Sequence, residues 1–487
     1  MPGIAKQRSR AADTWTTVRF TALRRACACL LLTAALLAGA SLGAQSGPDP
    51  VASASAAEAG VNLNTLELPN LAQATALGGH WVRVFAPWAF LEPARGEHSA
   101  FWLPRYARLL SSLPKGTKAI VDFVDTPSWE SGSAATSAPP SNPADYAAAL
   151  HYLAQRWAGH VAAYEIWNEE DTPLWWAGAP DPAAYTRLLQ AAYPAVKSAD
   201  PSAAVVLGGL TGNDYNFLEG VYQSGGKGYF NAVGVHTDTA CAVGSPYTFV
   251  RDADGRLDPD SFLAYREVHA TELANGDNVP IWMTEMSWRT TAARCTEGAF
   301  AGMKPQGVSD AQQATYLSQA YHCLAGNPYV QLALWYPIND EGAVDSGLLR
   351  TNHSRKPSYA AMRSYIRHGD RVRGACGNFT GPKISVSSPF NRISYSGPLP
   401  IHVSARSSAG VFRIRLEIDG KLIRNYEGPR FPSFLSGTLD WQGAKHIAYG
   451  RHTLTILAYD KQRNVSSVSI TIFHRPPTHH SSHGQRP

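Results

Sequence analysis

Two glutamates stand where short apolar runs give out. Glu169 lies in YEIWNEED at 164–171, and Glu285 closes PIWMTE at 280–285. Runs of that kind read as buried strands, so each carboxylate falls at a strand's end. Two carboxylates brought together at such ends can break a glycosidic bond: one protonates the leaving oxygen while the other attacks the anomeric carbon. A separation of about 5–5.5 Å would retain configuration, and a wider gap would invert it. A lone Glu after a strand is more commonly a solvated loop residue, and Glu170 and Asp171 read that way. The chemistry therefore depends on whether the chain brings Glu169 and Glu285 to one place.

The elements that must do so are repetitive. Apolar runs rich in Val, Ile and Ala recur at 60–63, 81–85, 118–124, 161–167, 203–209, 232–236, 280–285 and 331–336. Between them lie amphipathic segments such as NPADYAAALHYLAQRWAG and DAQQATYLSQAYHCLAG, opened by Asn or Asp and closed by Gly as helices are. Eight strand-helix units within 59–372 predict an α/β fold, a (β/α)8 TIM barrel rather than an open doubly wound sheet. No G-x-G-x-x-G or P-loop stretch favours the open form. In such a barrel the C-terminal strand ends share one rim, and strands four and seven set the two glutamates nearly opposite each other. His236 ends strand six, within reach of the same place, where a structural role is its alternative.

Beyond about residue 384 the pattern changes to period two, in KISVSS, PLPIHVSA, FRIRLEIDGKLIRNY, RHTLTILAYD and SSVSITIF. That predicts a small all-β sandwich over 384–474, with Asp419-Gly420 as a tight hairpin turn. At the other end, Arg24 and Arg25 precede ACLLLTAALLAGA, which is too short to span a bilayer comfortably. Residues 1–44 are expected to be an export signal cleaved near Ala40 or Ala44, with an uncleaved anchor as the alternative. The small, polar segment 45–58 reads as a linker, and 475–487 as a disordered tail.

The formal charge of +5 dissolves once it is divided. Residues 1–44 carry six Lys and Arg against Asp13, which leaves the exported chain near neutral and argues against a nucleic-acid binder. Residues 383–487 hold fourteen Lys and Arg against five acids, a net of +9, and 45–382 carry about −9. A basic sandwich could touch an anionic wall or cell-surface glycan, although a solvated basic face accounts for it as well. Outside the signal, Cys241, Cys295, Cys323 and Cys376 allow three pairings, and their spacing is unlike a zinc site. No metal and no cofactor is expected.

The strand-end sequences resemble the clan A glycoside hydrolases, in particular the family 39 and family 5-like bacterial enzymes. The resemblance runs from about 60 to 368 through WVRVFAPWAFLEPARGEH, YEIWNEED, VVLGGL, PIWMTEMSW, LALWYPIND and SGLLRTNHSRKPSYAAM. It implies a secreted retaining glycosidase, with Glu169 as acid/base and Glu285 as nucleophile. It further implies that Asn168 binds the sugar 2-hydroxyl, that Arg83 keeps Glu285 charged, and that Trp335 gives an aromatic face on which a sugar stacks. For Arg83 a salt bridge beneath the site is the alternative, and for Trp335 core packing. Trp129, Trp175, Trp176 and Trp288 are candidates for further sugar subsites. The sandwich resembles the immunoglobulin-like modules of bacterial secreted enzymes in EIDGKLI and GRHTLTILAYDKQRN.

Two departures stand out: Glu170 replaces the Pro usual after Asn-Glu, and His-Pro-Tyr after strand six becomes His236-Thr237-Asp238. Both bear on subsite shape and leave the carboxylate pair intact. The strand layout sets Cys241 and Cys295 on neighbouring loops and Cys323 and Cys376 beside the last helices, so the expected pairs are 241 with 295 and 323 with 376. The partner expected is a poly- or oligosaccharide. A barrel that only binds polysaccharide, and a transglycosylase using the same residues, are the alternatives to hydrolysis.

Overall fold

Eight parallel strands close into a barrel in sequence order: β1 (Glu58–Asn62), β2 (Trp81–Pro87), β3 (Lys118–Val124), β4 (Ala163–Asn168), β5 (Ala204–Thr211), β6 (Ala232–Thr237), β7 (Ile281–Met286) and β8 (Val330–Trp335). The computed structural model describes residues 57–477 except 238–240, 242–243, 253, 297–301, 303–304, 343 and 444–446. The segment expected to be an export signal, 1–44, lies outside the described residues, as do residues 45–56 of the expected linker and 478–487 of the expected tail. All eight expected strands are present. β1 begins two residues earlier than its apolar run, because Glu58 pairs with Leu332 of β8 and closes the barrel there.

Helices cover the outside. Pro143–Arg156 starts at Asn142, whose side chain accepts from the Ala144 N–H, and Pro182–Ala199 starts at Asp181 in the same way. Asp310–Ala325 opens with a Ser309–Gln312 capping box. Each strand is thus covered outside by helices and filled inside by its neighbours' side chains, which is why all six residues of β4 and of β6 are buried. Among the described residues no helix is long and apolar enough to cross a membrane. Disulfides join Cys241 to Cys295 and Cys323 to Cys376, the two pairs expected.

After the last barrel helix, Pro357–His368, the chain turns to mainly antiparallel pairing, with β10 (Ile393–Tyr395) parallel to β16 (Val465–His474). Its strands are β9 (Lys383–Ser388), β10 (Ile393–Tyr395), β11 (Leu399–Arg406), β12 (Val411–Ile418), β13 (Lys421–Glu427), β14 (Phe434–Trp441), β15 (Gly450–Asp460) and β16 (Val465–His474). They form a five-stranded sheet, β10-β16-β15-β12-β13, and a three-stranded sheet, β14-β11-β9. Alternate residues such as Ile401 and Val403 of one sheet and Ile414, Leu416 and Ile456 of the other fill a single core. Asp419 and Gly420 both take positive φ, 49° and 77°, as a two-residue hairpin between β12 and β13 requires.

Candidate active site

The barrel interior is layered by strand parity. At the N-terminal end, Trp81, Ile120, Ala163, Val206, Trp282 and Leu332 form an apolar plug, with the Trp81 and Trp282 rings edge to face at 5.2 Å. Two residues on, on the same face of each strand, Trp81 gives way to Arg83, Ile120 to Asp122, Ala163 to Glu165 and Trp282 to Thr284. A dry plug therefore supports a charged layer, and the strand ends lie one step above it.

Arg83 organises that layer. It is fully buried, and its guanidinium bonds Glu165, Asp122 Oδ2 at 2.9 Å, Asn62 Oδ1 at 3.0 Å, Asn168 Oδ1 at 2.9 Å and Glu285 Oε1 at 2.6 Å. The structural and the functional alternatives for Arg83 are therefore both present in one side chain: it anchors the buried acids and it touches Glu285. The Thr284 hydroxyl donates to Glu165 Oε1 at 2.6 Å, and Asn62 Nδ2 donates to the Thr284 carbonyl at 2.8 Å. Burial pushes the Asp122 carboxyl well above the usual carboxylate range, against the pull of Arg83. Asn62, Asp122, Glu165 and Thr284 escaped the reading of the sequence. For Asp122 and Glu165 a signal was available, because a charged residue inside an apolar strand run must find a partner.

At the end of β4 the backbone changes hand. Trp167 has φ 73° and Glu169 φ 49°, left-handed values unusual for such residues. The first sends the Trp167 indole outward, where its N–H donates to the Trp175 carbonyl at 2.8 Å, and brings Asn168 inward to Arg83. Asn168 gives its oxygen to that guanidinium, so its NH2 is the group left for a ligand. Glu169 then faces the cleft, and the Thr172 N–H and hydroxyl donate to its carbonyl at 3.0 and 3.1 Å, closing the turn.

Glu170 and Asp171 correct the solvated-loop expectation. Glu170 is 0 % exposed, and neither carboxylate oxygen has a hydrogen-bond partner. Its side chain packs against Gly208 of β5, where a Cβ would collide with the carboxyl. Burial holds that carboxyl well above the ordinary Glu value, and Asp171 adds repulsion. Asp171 accepts from the Thr211 N–H at 2.9 Å, its other oxygen is enclosed without a partner, and burial lifts it to about 7. Because the turn throws Glu169 into the cleft, Glu170 goes the opposite way, between β4, β5 and the helices.

His236 and Glu285 lie side by side in the β6–β7 register. Gly209 of β5 makes room for the imidazole, since a Cβ there would enter the ring. His236 Nδ1 is 2.9 Å from Glu169 Oε1, and Nε2 is 3.9 Å from Glu285 Oε1. One oxygen from each glutamate and a ring nitrogen all lie within 4.8 Å of one another. Burial alone would favour the neutral ring, but Glu285 and Glu169 raise the His236 pKa above its ordinary value. Burial likewise raises the Glu285 carboxyl, with His236 and Arg83 opposing it. Among the described residues, this trio is the one acid and His/Cys group spaced for a metal ion, yet Arg83 already places a cation on Glu285.

The aromatic candidates separate by burial. Trp335 is 0 % exposed, with its N–H donating to the Ser346 carbonyl at 2.8 Å. Leu332 and Leu334 point inward from β8, so Trp335 points outward, where it packs against Trp288 with ring centres 6.0 Å apart. It is a core residue and offers no ring face to a sugar. Trp288 and Trp176 are buried too. Trp129 and Trp175 remain partly exposed, Trp175 stacked on Phe85 at 6.0 Å. Tyr336, which follows Trp335 and recovers the inward parity, was not anticipated. Burial raises its hydroxyl's pKa, and Glu285 and Glu169 are charged neighbours.

No family model and no curated protein matches the sequence. Among solved structures, the chain is similar to a family 39 glycoside hydrolase from the gut symbiont Bacteroides cellulosilyticus WH2, with TM-score 0.52 and 18% identity over 79% of this chain and 79% of that one. It is also similar to GH5_18 from Streptomyces cattleya, solved in complex with GlcNAc, with TM-score 0.51 and 16% identity over 71% of this chain and 85% of that one. At these identities the likeness is one of fold alone, the closed barrel of eight parallel strands.

Proposed function

We propose that the protein is a retaining glycoside hydrolase that cleaves O-glycosidic bonds of a poly- or oligosaccharide by double displacement. The observation that carries this reading is the approach of Glu169 and Glu285, whose oxygens come within 4.8 Å across the rim. That spacing suits direct attack by one carboxylate and leaves too little room for the water an inverting enzyme needs. The barrel likeness to glycoside hydrolases supports the same chemistry.

In the first step an oxygen of Glu285 bonds to the anomeric carbon as the glycosidic C–O bond breaks, and Glu169 gives its proton to the leaving oxygen. In the second, Glu169 takes a proton from water, whose oxygen displaces Glu285 and restores the sugar hydroxyl. Arg83 steadies the charge on Glu285, and the Asn168 NH2 is the donor for the sugar 2-hydroxyl. His236, whose Nδ1 is 2.9 Å from Glu169 Oε1, holds that carboxyl in place.

Release of new reducing ends from a panel of β-linked poly- and oligosaccharides, by wild type and by Glu169→Gln and Glu285→Gln proteins, tests the proposal. Both variants are expected to lose about 10²–10⁴-fold or more in turnover, and the first product formed should keep the anomeric configuration of the substrate. Cleavage at wild-type rate by either variant would move the site elsewhere. Glycan binding without cleavage by the wild type would make the barrel a binding protein.

A further inference from the structure

The turn that aims Glu169 at the cleft is strained and must be held. Trp167 and Glu169 both take left-handed φ, which residues other than glycine keep only where their surroundings fix them. In front of the turn, His236 Nδ1 stands 2.9 Å from Glu169 Oε1. Behind it, the Glu170 side chain enters a notch on the outer side of β5, and Gly208 is the floor of that notch. A Cβ at Gly208 would meet both the Glu170 carboxyl and the Ile166 carbonyl. The buried Tyr185 hydroxyl fixes the walls, donating to the Ile166 carbonyl of β4 at 2.7 Å and accepting from the Gly208 N–H of β5 at 2.8 Å. Gly209 opens the other face of β5 to the His236 ring. Consecutive strand positions face opposite ways, so one glycine pair admits Glu170 behind the turn and His236 in front of it.

The seat suits an uncharged side chain. Both Glu170 oxygens are enclosed without a hydrogen-bond partner. Burial favours the neutral carboxyl, and so do the acids that face it, Asp171 in the turn, Glu165 of β4 and Asp122 of β3. The phenols of Tyr185 and Tyr146 face it from the helices. What the turn takes from Glu170 is therefore its shape.

Resting on the proposed glycosidase reading, we infer that Glu170 is a positioning residue for the acid/base: seated against Gly208, it pins the left-handed turn so that Glu169 stays beside His236 and faces Glu285 across the cleft. It acts through Glu169 alone. Asp171 adds a second tie from the same turn, to the Thr211 N–H of β5 at 2.9 Å.

Variants at 170 in the full chain test the inference. Glu170→Gln keeps the shape of the neutral acid and Glu170→Met its length, so both should cleave at close to the wild-type rate. Glu170→Ala empties the seat and should lower kcat roughly 100-fold, the effect of about 1 Å of misplacement, with KM little changed. Should Glu170→Ala not fold, Glu170→Val, which fills only the start of the seat, carries the same expectation. A readout that needs no cleavage is the imidazole titration of His236, followed by NMR in histidine-labelled protein and assigned through its loss in His236→Asn. Burial lowers that midpoint while Glu285 and Glu169 raise it. It should fall in Glu170→Ala toward its value in Glu169→Gln, and stay in place in Glu170→Gln. Wild-type kcat in the Ala or Val variant with an unmoved His236 midpoint overturns the inference. So does a Gln variant that fails as badly as Ala, because charge rather than shape would then be required, and a loss confined to KM overturns it in favour of a binding role. The two proposals fail separately: a wild type that cleaves nothing refutes the glycosidase, and the His236 midpoints still decide whether Glu170 aims Glu169.

Discussion

Replacing Asp171 by Asn should stabilise the protein at alkaline pH and do little at acid pH. Asp171 Oδ2 takes the Thr211 N–H at 2.9 Å, while Oδ1 is enclosed without a partner. Burial is the largest cause of its raised pKa, followed by the opposing Thr211 bond and then repulsion from Asp214 and Glu169, and the carboxyl moves from 3.8 to about 7. The folded state thus grips this proton more tightly than the unfolded chain does. Its contribution is complete below about pH 4, is lost as pH rises toward 7, and changes no further above that. At about 1.4 kcal/mol per unit the whole window amounts to about 4 kcal/mol. The Asn oxygen can keep the Thr211 bond, and its NH2 enters the place of the unpartnered oxygen at a cost of about 1 kcal/mol. Urea unfolding at pH 4 and pH 8 should show the variant slightly weaker at the first and roughly 3 kcal/mol stronger at the second. A difference that is the same at both values would refute the buried, protonated carboxyl and return Asp171 to solvent.

Arg83→Lys keeps the charge but not the fork that serves three carboxylates, so stability should fall by about 3 kcal/mol or more in thermal or urea unfolding, with loss of glycan cleavage. Unchanged unfolding would mean that the buried acids do not depend on it. Gly209→Ala places a methyl group in the His236 ring. It should cost about 1–3 kcal/mol and sharply reduce turnover, and full activity would show that the ring is free to stand elsewhere.

The sequence makes the barrel readable because each strand run is bounded and each intervening segment has the helical period. Glu169 and Glu285 are readable for a simpler reason: strand ends in such a barrel converge, whatever the registers between them. Side-chain direction at those ends is a different matter. Along β4, inward parity runs Ala163, Glu165, Trp167, and would send Asn168 outward. The left-handed turn at Trp167 reverses this, and it also sends Glu170 into the layer behind β5. Along β7 the pairing with β8 shifts between Met283 and Met286, so Thr284 and Glu285 both meet the interior network.

β8 keeps its alternation, and there parity would have worked. Leu332 and Leu334 face the plug, which consigns Trp335 to the helices and turns Tyr336 toward the carboxylates. For Trp335 the alternation along β8 thus favours core packing, the alternative to a stacking face. Asn168 and Glu285 reach the centre only because the pattern is broken there. The breaks coincide with the two glutamates: a regular strand shows the cleft every second residue, whereas this site needs consecutive side chains, Asn168 with Glu169 and Thr284 with Glu285, turned toward the same charged core. Backbone of unusual hand at β4 and an irregular register at β7 are how the fold meets that need.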